Sequence, residues 1–97
     1  MGKLLRSLVL NPEDSVAVLL EKGSKGDKIS VAGEEIELRE DIDFAHKVLI
    51  KDTVKNGPVM KYGVQIGYML ADTVKGYWIH GHNMGCDRGK VRRELIK

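Results

Sequence analysis

The sequence predicts a mainly β fold, built from short strands in one small domain. Three observations carry that expectation. Apolar residues recur with a period of two in short runs, glycines separate those runs, and one polar corner is used twice. Eleven glycines at these intervals leave little room for helices, because each glycine inside a helix costs about 1 kcal/mol relative to alanine.

The elements follow in order. "LLRSLVL" is an extended run, and Pro12 after Asn11 in "NPED" marks a turn before "SVAVLLE". "KGSKGD" is a loop, and "KISVAGEEIEL" reads as two strands joined by a tight turn near Gly33. "HKVLIKD", "PVMKYG", "VQIGYMLAD" and "GYWIHGHNM" are further extended runs. The corner "DTVKNG", Asp52 to Gly57, returns as "DTVKG", Asp72 to Gly76. An Asp or Thr there can hydrogen-bond the backbone two residues on, and glycine can take the positive φ that closes the turn. Strand, corner, strand units repeated in this way imply a folded-back β architecture. The domain is expected to run over 1–86, with 87–97 a basic tail or linker in which Val91, Leu95 and Ile96 stand near the spacing of a short C-terminal helix.

Composition narrows the function. With 97 residues the chain holds a single core but is too small to enclose a deep active site, so any chemistry would need a partner surface. Hydrophobic content of 42% and charged content of 31% are those of a globular domain. No run approaches the roughly 20 apolar residues that span a bilayer. "MGKLLRSLVLNPED" turns acidic too early for a secretory signal, so no membrane partner and a cytoplasmic location are expected. The one cysteine, Cys86, cannot form an internal disulfide and is read as a free thiol in a reducing compartment. "DRGKVRRELIK" has five basic and two acidic residues, so the tail carries +3 of a net +2 and the body −1. No basic stripe interleaves with stacking aromatics, and no nucleic-acid partner is expected.

"LVLNPEDSVAVLLE", "DFAHKVLIKDTVKNGPVMKYGVQIG" and "HGHNM" together resemble the N-terminal domain of the altronate and galactarate dehydratase family, in order from about Leu8 to Met84. That domain belongs to the SAF group, whose fold is called a β-clip. The resemblance implies a domain that completes the active site of a large catalytic dehydratase part, as a fused N-terminal domain or a separate small subunit. It also implies Fe(II) or a similar divalent ion in the assembled enzyme, and a sugar acid as substrate. The small subunit of sulfolactate sulfo-lyase looks similar, and a non-catalytic module that binds a carbohydrate acid or braces a homo-oligomer is the alternative of another class.

Dehydrating a sugar acid requires a base, a proton donor and positive charge near the carboxylate. His80 and His82 alternate in a strand-like run, so both would project from one face, able to hold one metal or one acidic group and to titrate as acid or base. Gly81 between them leaves the opposite face bare for another backbone, and Asn83 can meet a sugar hydroxyl. Trp78 is read as core. His46 and Lys47 form a second candidate set, an imidazole and an ammonium on opposite faces of a regular strand. The resembled pattern often has glycine before this histidine, where this chain has Ala45. Lys61, Tyr62 and Gly63 form a third, offering charge, a hydroxyl and close backbone approach to an acidic substrate. The acidic stretch "EEIELREDID" is read as a wet hairpin, and Met60, Met69 and Met84 as filler.

Overall fold

Residues 2–85 are described by a computed structural model, and all of their regular structure is strand. The strands are β1 (Leu4–Leu5), β2 (Ser7–Leu8), β3 (Val16–Leu19), β4 (Lys28–Val31) and β5 (Glu34–Glu37). They continue with β6 (Lys47–Leu49), β7 (Pro58–Lys61), β8 (Val64–Met69), β9 (Trp78–Ile79) and β10 (Met84–Gly85). Three small sheets result, ordered β1-β4-β5, β2-β3-β6-β9 and β10-β8-β7. Every pairing is antiparallel except β1 with β4. The expected single run "LLRSLVL" is divided at Arg6, whose amide donates to Glu21 Oε2 at 2.7 Å. That break sends β1 to one sheet and β2 to another.

Two hairpins have two-residue loops in which both residues are left-handed. Ala32 and Gly33 (φ 52° and 84°) join β4 to β5, and Tyr62 and Gly63 (φ 57° and 77°) join β7 to β8. Positive φ at both positions is the type I′ signature that matches strand twist. In the first hairpin Ile29 faces Ile36, both buried, while Glu34, Glu35 and Glu37 stay exposed, as expected of a wet hairpin.

The repeated corner pairs with itself. Thr53 and Thr73 exchange main-chain hydrogen bonds of 2.9 and 2.8 Å. The carboxylate of Asp72 accepts the Lys55 amide at 2.7 Å, and that of Asp52 accepts the Lys75 amide at 2.9 Å. A second such pair, not visible as a repeat in the sequence, joins Gly23 to Ile42, with Asp41 accepting the Lys25 amide at 2.8 Å. Each corner ends in a left-handed residue, Gly26, Ala45, Asn56 or Gly76, shortly before β4, β6, β7 or β9.

The four-stranded sheet lies between two apolar clusters. Ala17 and Val48 turn to a cluster with Leu19, Ile29, Leu38 and Ile42, whereas Val16 and Leu49 turn to one with Val59, Met69 and Ile79. The period of two along β3 and β6 thus supplies both sides. Met69 is core as expected, and Met84 packs against the second cluster.

A second expectation is corrected. The run "GYWIHGHNM" stays extended only to Ile79, after which His80 to Asn83 form a turn. The amides of Asn83 and Met84 both donate to the His80 carbonyl, at 3.0 and 2.9 Å. Cys86, the tail 87–97 and its expected short helix lie outside the described residues.

Candidate functional site

The site is assembled from the start of β6 and the end of β9. His46 leaves its corner through Ala45, whose φ is 70°. Lys47 then pairs with Ile79 and Val48 with Trp78, so the next positions outward, His46 and His80, fall side by side on the Trp78 face. Their rings are 6.2 Å apart, centroid to centroid, and nearly parallel at 14°.

Trp78 is the platform. Its ring centroid lies 5.3 Å from His46, 5.0 Å from His80 and 4.9 Å from His82. All three imidazoles therefore touch one indole, within the range of favourable aromatic pairs. His80 and His82 are exposed and His46 is half-buried. The indole Nε1 is buried without a partner among the described residues.

Asn83 fixes the turn that brings His82 back. Its Oδ1 accepts the His80 amide at 3.0 Å and its Nδ2 donates to the Trp78 carbonyl at 2.7 Å. The amide expected to meet a sugar hydroxyl is thus first a positioning group. Glu40 adds a brace, its Oε2 accepting the Trp78 amide at 2.9 Å. An ideal Cβ on Gly81 meets nothing within 4 Å, so its outer side is open.

Of the remaining candidates, Lys47 lines a small pocket with His46, Trp78 and His80, whereas Lys61, Tyr62 and Gly63 lie in and beside the β7–β8 loop. Lys47 is half-buried on the face of Leu49 and Ile79, opposite His46, as the alternation predicted. Burial, and secondarily the charge of Lys61, holds its ammonium below the usual lysine value. The second face of the sheet thus carries a cation at Lys47. Lys61 also lies 5.0 Å over the Tyr62 ring, and the Gly63 amide donates to Asp14 Oδ1 at 2.8 Å in the β7–β8 hairpin loop.

Comparison with known proteins bears on this arrangement. Residues 5–87 match the altronate/galactarate dehydratase SAF domain. The chain belongs to that family. It is 41% identical over 70 residues to an altronate dehydratase of Escherichia coli (strain K12), covering 72% of this chain and 14% of the relative. It is 32% identical over 74 residues to an altronate dehydratase of Bacillus subtilis (strain 168), covering 76% of this chain and 15% of the relative. The chain thus spans about one-seventh of the length of these relatives, and the SAF domain is in them a part of a larger dehydratase protein.

Trp78 packs against the first apolar cluster, as its core reading expects, and the same ring also carries the imidazoles, on the face that alternation shares with His80. Glu40 is the contributor that the sequence does not reveal: its brace spans 38 positions and leaves no local signal. The left-handed φ of Ala45 explains why glycine suits that position.

Proposed function

We propose that this chain completes the active site of a cytoplasmic sugar-acid dehydratase of the altronate or galactarate type, as a small subunit or N-terminal domain acting with a larger catalytic part. The observation that carries the reading is the gathering of His46, His80 and His82 on Trp78 at one exposed tip, in a member of the dehydratase SAF family.

In this reading an imidazole of His80 or His82 takes the proton beside the substrate carboxylate or returns one to the departing hydroxyl, and His46 holds the neighbouring ring in place. Such a group contributes about 10²- to 10⁴-fold. Asn83 sets the angle at which His82 is offered. Lys47 and Lys61, with Tyr62 and Gly63 beside them, hold a carboxylate that reaches the second face. When bound, Fe(II) would polarise the leaving hydroxyl and place charge near the carboxylate. Of His80 and His82, the ring that does not move the proton is the donor this chain would supply. No group of three His, Cys, Asp or Glu side chains converges among the described residues, so further ligands would come from the catalytic part.

The test is reconstitution. The chain alone is expected to turn over little altronate or galactarate, and adding the catalytic part with Fe(II) is expected to restore 2-keto acid formation. A His80→Ala, His82→Ala double variant is expected to lose about 100-fold or more. Undiminished turnover in that variant removes both rings from the mechanism. Sulfite released from sulfolactate would instead identify a sulfo-lyase, and saturable acid binding without any lyase activity would identify a binding module.

A further inference from the structure

The imidazole tip adjoins two unlike pockets. His80 lines a small one together with His46, Lys47 and Trp78, and none of the described residues in its wall is acidic. His82 lines a larger one of about 490 Å³ together with Glu40, Asp72, Thr73, Tyr77 and Asn83, and none of the described residues in its wall is a lysine or an arginine. The two pockets share no lining residue, and the rings of His80 and His82 are 6.3 Å apart.

The two carboxylates of the larger pocket are held in place. Glu40 Oε2 accepts the Trp78 amide at 2.9 Å and Asp72 Oδ1 accepts the Lys55 amide at 2.7 Å. Each is thus fixed through one oxygen, and neither enters an ion pair among the described residues. Glu40 is half-buried and Asp72 exposed. An ionised carboxylate can only accept hydrogen bonds. It therefore meets a hydroxyl as a charge-assisted bond and another carboxylate as like charge. A six-carbon chain extends about 6 Å, close to the spacing of the two rings. An acid held at the imidazoles by its reacting end can thus lay its far end in one pocket or the other, and the acidic wall accepts that end only if it carries hydroxyls.

We propose that the pocket of His82 receives the hydroxylated far end of the substrate, and that Glu40 and Asp72 there select an acid with one carboxylate over an acid with two. The inference rests on the dehydratase reading above and divides its two acids. Altronate ends in a hydroxymethyl group, which the two carboxylates accept. Galactarate ends in a second carboxylate, which they repel.

The test is the ratio of kcat/KM for altronate to kcat/KM for galactarate in the complex of this chain with the catalytic part. Two like charges facing the second carboxylate across water amount to a ratio of about tenfold or more. Glu40→Gln and Asp72→Asn each keep an oxygen that can accept the same main-chain amide, and urea midpoints check that the fold survives. The double variant is expected to bring the ratio close to one, chiefly by lowering KM for galactarate, and each single variant to lower it by about threefold, which serves if the double variant does not fold. A purely structural role for these carboxylates would lower turnover of both acids together and leave the ratio where it was. A parent ratio of one or less, or a ratio unmoved in the folded variants, overturns the proposal while the dehydratase reading stands. Turnover of neither acid by the parent complex overturns that reading and this inference with it.

Discussion

The indole of Trp78 lies 4.9 Å from the imidazole of His82, although the strand that carries Trp78 ends at Ile79. A continued strand would have carried His82 roughly 13 Å along from Trp78, at about 3.3 Å per residue. The turn closed by Asn83 folds it back onto the platform instead.

Trp78 should therefore matter twice. Trp78→Ala is expected to destabilise the chain by about 2 kcal/mol, less than the 3–5 kcal/mol of a fully buried tryptophan because this one is half-buried. Trp78→Phe keeps a ring under the imidazoles and is expected to retain most of the reconstituted activity, whereas Trp78→Ala loses it. Urea denaturation and 2-keto acid assays measure the two effects. Equal activity of both variants would show that the platform is unnecessary.

Gly81 separates the chain's own needs from those of its partner. An added methyl there meets nothing within 4 Å, so Gly81→Ala should leave the stability of the isolated chain within about 0.5 kcal/mol. If the catalytic part packs against this tip, the same variant is expected to raise the concentration needed for half-maximal reconstitution. Full activity at unchanged concentration would place the partner elsewhere.

Ala45 sits at φ 70°, where an L side chain is penalised by about 1–2 kcal/mol while glycine gives back about 0.5–1 kcal/mol in chain entropy. Ala45→Gly is expected to raise stability by about 0.5–1 kcal/mol, read as a higher urea midpoint with unchanged slope. Activity should be retained, because His46 keeps its register.

The reciprocal corner predicts non-additivity. Asp52→Ala and Asp72→Ala each remove a carboxylate that accepts a main-chain amide in the opposite copy, at 2.9 and 2.7 Å. Each should cost about 1 kcal/mol. Because both brace one Thr53–Thr73 pairing, the double variant is expected to lose less than the sum. Strict additivity would mean that the corners are independent.

Acid stability should report on Asp27. Hydrogen bonds from the Ser24 and Lys3 amides hold its carboxyl below its ordinary value of 3.8. Since the folded state prefers the charged form, this contribution is complete above pH 3.8 and is lost as pH falls through the lower folded value. Asp27→Asn should flatten the loss of stability below about pH 4, measured by denaturation midpoints across pH 2–6.

Much of this protein was legible before its structure. The hairpin at Ala32–Gly33, the β class and the corner at Asp52 are written in nearest-neighbour chemistry, where glycine, asparagine and aspartate act within a few residues of themselves. Candidate residues and the family were legible too, because their types stand in the sequence. The corner pair of Gly23 and Ile42 was hidden, since its hydrogen bonds come from backbone and need no shared letters.

The sequence by itself determined which side chains could do chemistry and how the local turns close. Only the tertiary structure decided that His46 lies beside His80, that Glu40 steadies Trp78 and that Asp14 holds the Gly63 amide. Those meetings depend on the register between distant strands, and register follows from which apolar faces pack together, a property of the whole core rather than of any one segment.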